Sequence, residues 1–478
     1  MSNITSVTPS GAAARSDGGQ EKKPARSTFQ RLVDAFAMPV LAILTAFLIG
    51  ALVIFFTSWL TTHSISESLN TVIEAYAGLF KGAFTKQRGF SESLVATVPY
   101  IFLSLGLAIG FKSGLFNIGV EGQFYIGAIA VAWAGALPAL RSLPAIVFLP
   151  LILLVGALGG GLWAAIPGYL KARTGAHEVI TTMMMNYIAF RLVEYLISFP
   201  LKDKGSSATQ TLPVADGAQI WTLAMIPEKL KDPLDALFVA LILALIAFFF
   251  ARWLFGLPSM RNRIQNTGQK RLYTFGFAAL IGVLIFLGLP VLSRVWWPFT
   301  DQYDRMHIGL FLALMAAVAV WWLLWKTTLG FELRTVGANT NAARYAGMNI
   351  TRNIVVAMSL SGALAGVAGA VEVLAVSSCR CMQLFFSSGY GFDSIAITLL
   401  AKNNPFGIIL SSFFFGAMRN GADLMELNSG VSKYIISLVQ GLLLLFVAAP
   451  AIVRWMYRIK AERRPEEEAP LTKGWGGG

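Results

Sequence analysis

The chain has 478 residues, of which 56% are hydrophobic and only 13% are charged. Soluble domains carry about 25% charged residues, so a string of soluble domains is excluded and most of this chain is built to avoid water. The net charge of +13 would point to nucleic acid in a soluble protein; here the cations sit between apolar runs and in the tails, where they set membrane orientation and imply no nucleic-acid partner.

Residues 1–37 read as a disordered, basic cytoplasmic tail without the apolar stretch of a signal peptide. About twelve apolar segments follow, at 38–60, 94–111, 124–140, 144–170, 179–200, 236–255, 273–292, 307–325, 354–376, 391–400, 405–424 and 434–453. Most are long enough to cross a bilayer core as helices, and backbone in lipid must satisfy its own hydrogen bonds, so the spans are helical. The segment at 391–400 is too short to cross comfortably and reads as a broken or re-entrant helix. The expectation is an all-α polytopic membrane protein with a membrane domain at 38–453 and a cytoplasmic C-terminal tail at 454–478. The loop between 326 and 352 is expected to be cytoplasmic.

Orientation follows from lysine and arginine in the short loops. With the N-terminus inside, Lys171 and Arg173, then Arg261, Arg263, Lys270 and Arg271, then Lys326, Arg334, Arg344 and Arg352 are all inside, with Lys402 and Arg454 to Arg464 beyond them. Both termini are therefore expected in the cytoplasm. Lys81, Lys86 and Arg88 in the first outer loop run against the rule.

Four interruptions of the apolar pattern stand out, because transporter sites tend to lie where membrane helices break. The first is Lys112 to Gln123, with Gly114, Gly119 and Gly122 among Asn117, Glu121 and Gln123. An intramembrane carboxylate is a functional suspect, although Glu121 could equally serve an ordinary turn by facing a helix dipole. The second surrounds the 179–200 segment. His177-Glu178 precedes it as a cap or cytoplasmic gate, Asn186 lies inside it, and Arg191 and Glu194 are spaced to pair on one helix face. The third is Gly330 to Met348, where Asn339 to Tyr345 reads as a short helix capped by Asn339 or Thr340 and closed by Gly347. It is either a solvated connector or a docking element. The fourth is Gly389 to Asp393 and the turn Lys402 to Pro405, where Asp393 reads as a helix N-cap or a site residue. Gly159 to Gly161 and Ser361 to Gly369 mark close helix packing.

The chain lacks a Walker-type phosphate loop, a Ser-His-Asp constellation and metal-ligand spacing. No catalytic residue, metal or cofactor is expected, and a membrane-embedded enzyme is disfavoured. Cys379 and Cys381 are the only cysteines, and their tight spacing is expected to leave them unbridged.

The stretches Gly114 to Gln123, His177 to Ile180 with Asn186-Tyr187, Gly330 to Gly347, and Gly389 to Asp393 through Pro405-Phe406-Gly407 resemble, in order, the permeases of binding-protein-dependent ABC importers for simple sugars, nucleosides and branched-chain amino acids. They are most similar to the nucleoside-importer permeases. The resemblance implies a multi-pass subunit of the bacterial inner (plasma) membrane, embedded in lipid. Its implied partners are ATP-binding cassette subunits, a second permease subunit in a heterodimer, and an extracytoplasmic substrate-binding protein. Asn117, Glu121, Gln123, Glu178, Asn186 and Asp393 would then mark the translocation path. Arg334, Asn341, Ala342, Arg344 and Tyr345 would couple to the ATPase. The chain departs from the pattern by an extra helical hairpin within about 252–306. An ABC permease for a simple sugar and an ion-coupled secondary transporter, with Glu121, Glu372 or Asp393 as the ion-coupling carboxylate, remain as alternatives.

Overall fold

A computed structural model describes residues 28–255, 267–301, 303–387 and 389–458. Most of both tails and the basic loop carrying Arg261 and Arg263 lie outside the described residues. The described chain is helical throughout: α1 (Thr28–Thr62), α2 (Ile65–Phe80), α3 (Gly89–Lys112), α4 (Val120–Gly135), α5 (Ala145–Thr174) and α6 (Glu178–Ser198). They are followed by α7 (Ile226–Lys229), α8 (Pro233–Leu254), α9 (Thr267–Val295), α10 (Gly309–Lys326), α11 (Thr328–Ala338) and α12 (Thr340–Tyr345). The last five are α13 (Ile350–Val371), α14 (Tyr390–Leu400), α15 (Pro405–Ser429), α16 (Tyr434–Ala448) and α17 (Pro450–Met456). Among the described residues seven helices are long and apolar enough to cross a membrane, and α16 with α17, bent by 91°, adds an eighth. The fold is that of a polytopic all-helical membrane protein, and each expected apolar segment falls on a helix. Three helices fall where loop was expected: α2 in what reads as an outer loop, the short α7, and α11 in the connector.

At the centre, α3 is enclosed along nearly its whole length, from Val95 to Ile109. Helices α4, α5 and α13 join it through small residues. A methyl group added at Gly127 would lie 2.7 Å from the Gly366 carbonyl oxygen, and one at Gly156 would lie 2.9 Å from it. In lipid no hydrophobic force drives helices together, so this backbone proximity supplies the packing. Helices α14 and α15 cover the other side of α3, and α1, α2 and α16 lie outside them. Helices α8 and α9 pack on each other, and only 6% of the α9 span is buried. That exposure suits a lipid-facing surface.

One end of the bundle is capped by three extended loops. Thr211 N–H donates to the Met382 carbonyl at 3.0 Å, Val214 N–H to Arg380 at 2.9 Å, and Leu223 N–H to Met306 at 2.8 Å. At this end Arg88 pairs with Asp301 at 2.5 Å, and Arg305 pairs with Glu92. The hydrogen bond from Arg88 holds the Asp301 carboxyl below the usual carboxylate range. Arg88, which ran against the charge rule, is thus neutralised by an acid from a distant loop.

The two cysteines depart from expectation. Cys379 and Cys381 form a disulfide. Arg380 between them adopts a left-handed backbone (φ 51°), which folds the chain back and brings the two Cα atoms to 5.1 Å, inside the bridgeable range. Spacing alone did not reveal that reversal.

Candidate translocation site

The break after α3 is built by amides. Gly114 turns the chain with φ +72°, and the side chains of Asn117 and Gln123 exchange hydrogen bonds of 2.9 and 3.0 Å. Asn117 Nδ2 also donates to Ser361 Oγ at 2.9 Å, and its Oδ1 accepts from Gly119 N–H at 3.1 Å. Asn186 on α6 closes the arrangement. Its Oδ1 accepts from Gly122 N–H and its Nδ2 donates to the Ile118 carbonyl, both at 2.8 Å. All three amides are buried. They satisfy backbone groups that a broken helix leaves open, and so brace the start of α4.

Glu121 stands in the first turn of α4, 2% exposed. Its carboxylate does not serve its own helix. Oε1 accepts from Ser387 Oγ at 2.6 Å, and Oε2 accepts from the Gly391 N–H, which belongs to the first turn of α14. An anion at a helix N-terminus is favoured by the exposed N–H groups and the dipole, and here one anion joins the N-termini of two short helices. Gly391 must be glycine for this approach: a methyl group there would sit 2.6 Å from Glu121 Oε2 and 2.8 Å from its Cα.

Asp393 is not the N-cap of α14; Gly389, with φ +94°, holds that position. The Asp393 side chain instead accepts from the Tyr100 hydroxyl at 2.7 Å, which also accepts from Arg419 Nη1 at 3.2 Å. The Arg419 guanidinium lies 3.9 Å from the Tyr390 ring centre, a stacked cation–π geometry. Tyr100 and Tyr390 meet edge-on at 4.8 Å. Nearby, Glu372 is buried at a single π-helical turn, Glu372–Val376, and its Oε2 has no hydrogen-bond partner among the described residues. Such turns occur frequently at functional sites. Buried charge this dense is costly in lipid, which makes the junction a candidate functional site.

Glu178 lies apart from this junction. It pairs with Lys171 at 3.0 Å across the α5–α6 turn. Arg191 and Glu194 form the expected i,i+3 ion pair at 2.6 Å. Among the described residues no group of three or more His, Cys, Asp or Glu side chains is arranged to hold a metal ion.

At the opposite end from the loop cap, α11 and α12 form the connector. Asn339 caps α12 by accepting from the N–H groups of Asn341 and Ala342, both at 3.0 Å, and Gly347 (φ +79°) closes it. Asn341, Ala342 and Arg344 are exposed, and Tyr345 is 97% exposed. Ala343, on the same short helix, is fully buried and turns that side toward the bundle. Arg334 is half-buried, with its guanidinium 5.8 Å from the Trp325 ring centre. The connector rests on the break itself: a methyl group at Gly337 would lie 2.6 Å from Gly114 N.

Tyr100 and Arg419 are not among the residues the sequence singles out. Arg419 carries a signal, a cation inside the apolar run of α15; nothing local marks Tyr100.

The family described as branched-chain amino acid transport system, permease component, matches residues 89–257 and 229–448. A guanosine ABC transporter permease, NupP of Bacillus subtilis, is 33% identical over 88% of this chain and 94% of its own length. The glucose ABC transporter permease TsgB13 of Haloferax volcanii is 29% identical over 90% and 92%. The nucleoside ABC transporter permease NupB of Lactococcus lactis is 28% identical over 91% and 97%. No solved structure matches.

Proposed function

We propose that this chain, which belongs to the branched-chain amino acid transport system permease family and is the multi-pass plasma-membrane permease subunit of an ABC importer, carries a nucleoside. The observation that carries this reading is the buried junction at which α4 and α14 meet. Glu121, Asp393, Arg419 and two tyrosine hydroxyls offer acceptors and donors for a sugar-bearing, uncharged solute, and aromatic rings stand beside them for a base. The extended similarity to a guanosine permease and a nucleoside permease supports the same solute class. The glucose permease among the relatives favours a simple sugar as the second reading.

As an ABC permease the subunit works with ATPase subunits and a substrate-binding protein. The finer assignments are ours. ATP hydrolysis belongs to the partner, and the exposed face of α12 docks in its groove. A second, different permease completes the path. Glu121 and Asp393 line the path, while Asn117, Gln123 and Asn186 brace it. Both termini face the cytoplasm.

Uptake into proteoliposomes containing the whole complex tests the reading. Nucleoside uptake is expected to require enclosed ATP and to survive a protonophore. Uptake abolished by the protonophore and indifferent to ATP would revive an ion-coupled mechanism through Glu121, Glu372 or Asp393.

A further inference from the structure

A cavity of about 230 Å³ lies between α3, α14, α15 and α16. Tyr100, Asp393 and Arg419 line its inner part, and Gln440 lines it from α16. Asp423 and Lys433, paired at 3.1 Å and both exposed, stand at its open end. Tyr100 is eleven residues into α3 from Gly89, about 16 Å along a helix rising 1.5 Å per residue, so the cavity reaches deep into the bundle from that end.

The lining is selective. Gln440 is only 7% exposed and lines the cavity. Its amide offers one donor group and one acceptor to a solute that enters. Asp393 gives one hydrogen bond's worth of acceptor capacity to Tyr100, whereas a carboxylate can accept about four. The volume is below the roughly 300–1,000 Å³ of pockets that enclose a drug-sized ligand. It suits a ring with several hydroxyls better than a whole nucleoside.

We propose that this cavity is a recognition site for the vicinal diol of a ribosyl group, with Asp393 accepting from the hydroxyls and the Gln440 amide bonding the ring's opposite polar edge. The remainder of the solute projects past the Asp423–Lys433 pair, which must part to admit it. The proposal rests on the nucleoside reading above and adds to it a part of the solute and the residues that read it.

The test uses the whole complex in proteoliposomes, with labelled uridine, 2′,3′-dideoxyuridine and ribose as probes for wild type, Gln440→Leu and Asp393→Asn. In Gln440→Leu, uridine uptake is expected to fall at least tenfold with dideoxyuridine uptake changed less than twofold, so that the ratio of the two solutes collapses; Asp393→Asn, which also alters the path itself, is expected to lower both, uridine more than dideoxyuridine. Equal losses of both solutes in Gln440→Leu indicate a general folding or coupling defect and overturn the proposal, as does an unchanged ratio in that variant. If wild type imports ribose and not uridine, the nucleoside reading fails. The cavity then stands only if both variants lose ribose uptake tenfold. A wild type that imports neither overturns both.

Discussion

Replacing Gly391 with alanine strikes the contact between the two broken helices. The added methyl group would lie 2.6 Å from Glu121 Oε2, 2.7 Å from its N and 2.8 Å from its Cα. Two of these neighbours are backbone, so α14 must back away. Overpacking of this kind costs about 1–3 kcal/mol. Withdrawal also lengthens the Gly391 N–H bond to Glu121, leaving a buried carboxylate short of a donor at a further cost of about 1–3 kcal/mol. The sum, about 2–6 kcal/mol, is a large part of a typical total stability of about 5–15 kcal/mol. Purified Gly391→Ala is therefore expected to unfold at a clearly lower temperature in detergent and to lose at least tenfold in ATP-driven uptake. Gly276→Ala on α9 is the control, since nothing lies within 4 Å of the added atom; it should match wild type in both measurements. A Gly391→Ala protein with normal uptake and an unshifted unfolding temperature would refute the role given to this contact.

Ala342→Trp, on the exposed side of α12, should insert normally but abolish substrate-stimulated ATPase activity, because the enlarged face no longer fits its groove. Ala343→Trp should instead lower the amount of folded permease, since Ala343 is fully buried; equal, normal stimulation in both variants would dismiss α12 as the docking element. A cysteine at Ser206 should react with a membrane-impermeant maleimide in intact cells, and one at Asn266 only after permeabilisation, the native Cys379 and Cys381 being joined to each other. Labelling of Asn266→Cys from outside would invert the topology.

What the sequence disclosed depended on the range of the interaction. The α12 cap by Asn339 and the Arg191–Glu194 pair join residues two or three positions apart, and local chemistry was enough to find them. The glycine runs of α5 and α13 were legible as packing surfaces without their partners being known. Of the two readings open for Asp393, the cap fails, because its acceptor role is satisfied by Tyr100, 293 positions away, and Tyr100 in turn is held by Arg419 at a separation of 319. Such pairings depend on how helices are stacked, which no short motif encodes. Cys379 and Cys381 failed for a different reason: their pairing depends on the left-handed turn at Arg380, and arginine does not advertise that conformation.

The seating of Gly337 against Gly114 has a mechanical meaning. With no side chain on either residue, backbone bears on backbone, and there is no flexible chain between them to absorb a push. If α12 docks on the ATPase as proposed, a displacement delivered to it would arrive at Gly114 with little lost on the way, and Gly114 is seven residues before Glu121. On that reading the connector and the polar junction would behave as two ends of one short, stiff rod. Lengthening either glycine by a methyl group would shim that rod out of adjustment, uncoupling ATP turnover from transport although neither residue touches solute or nucleotide.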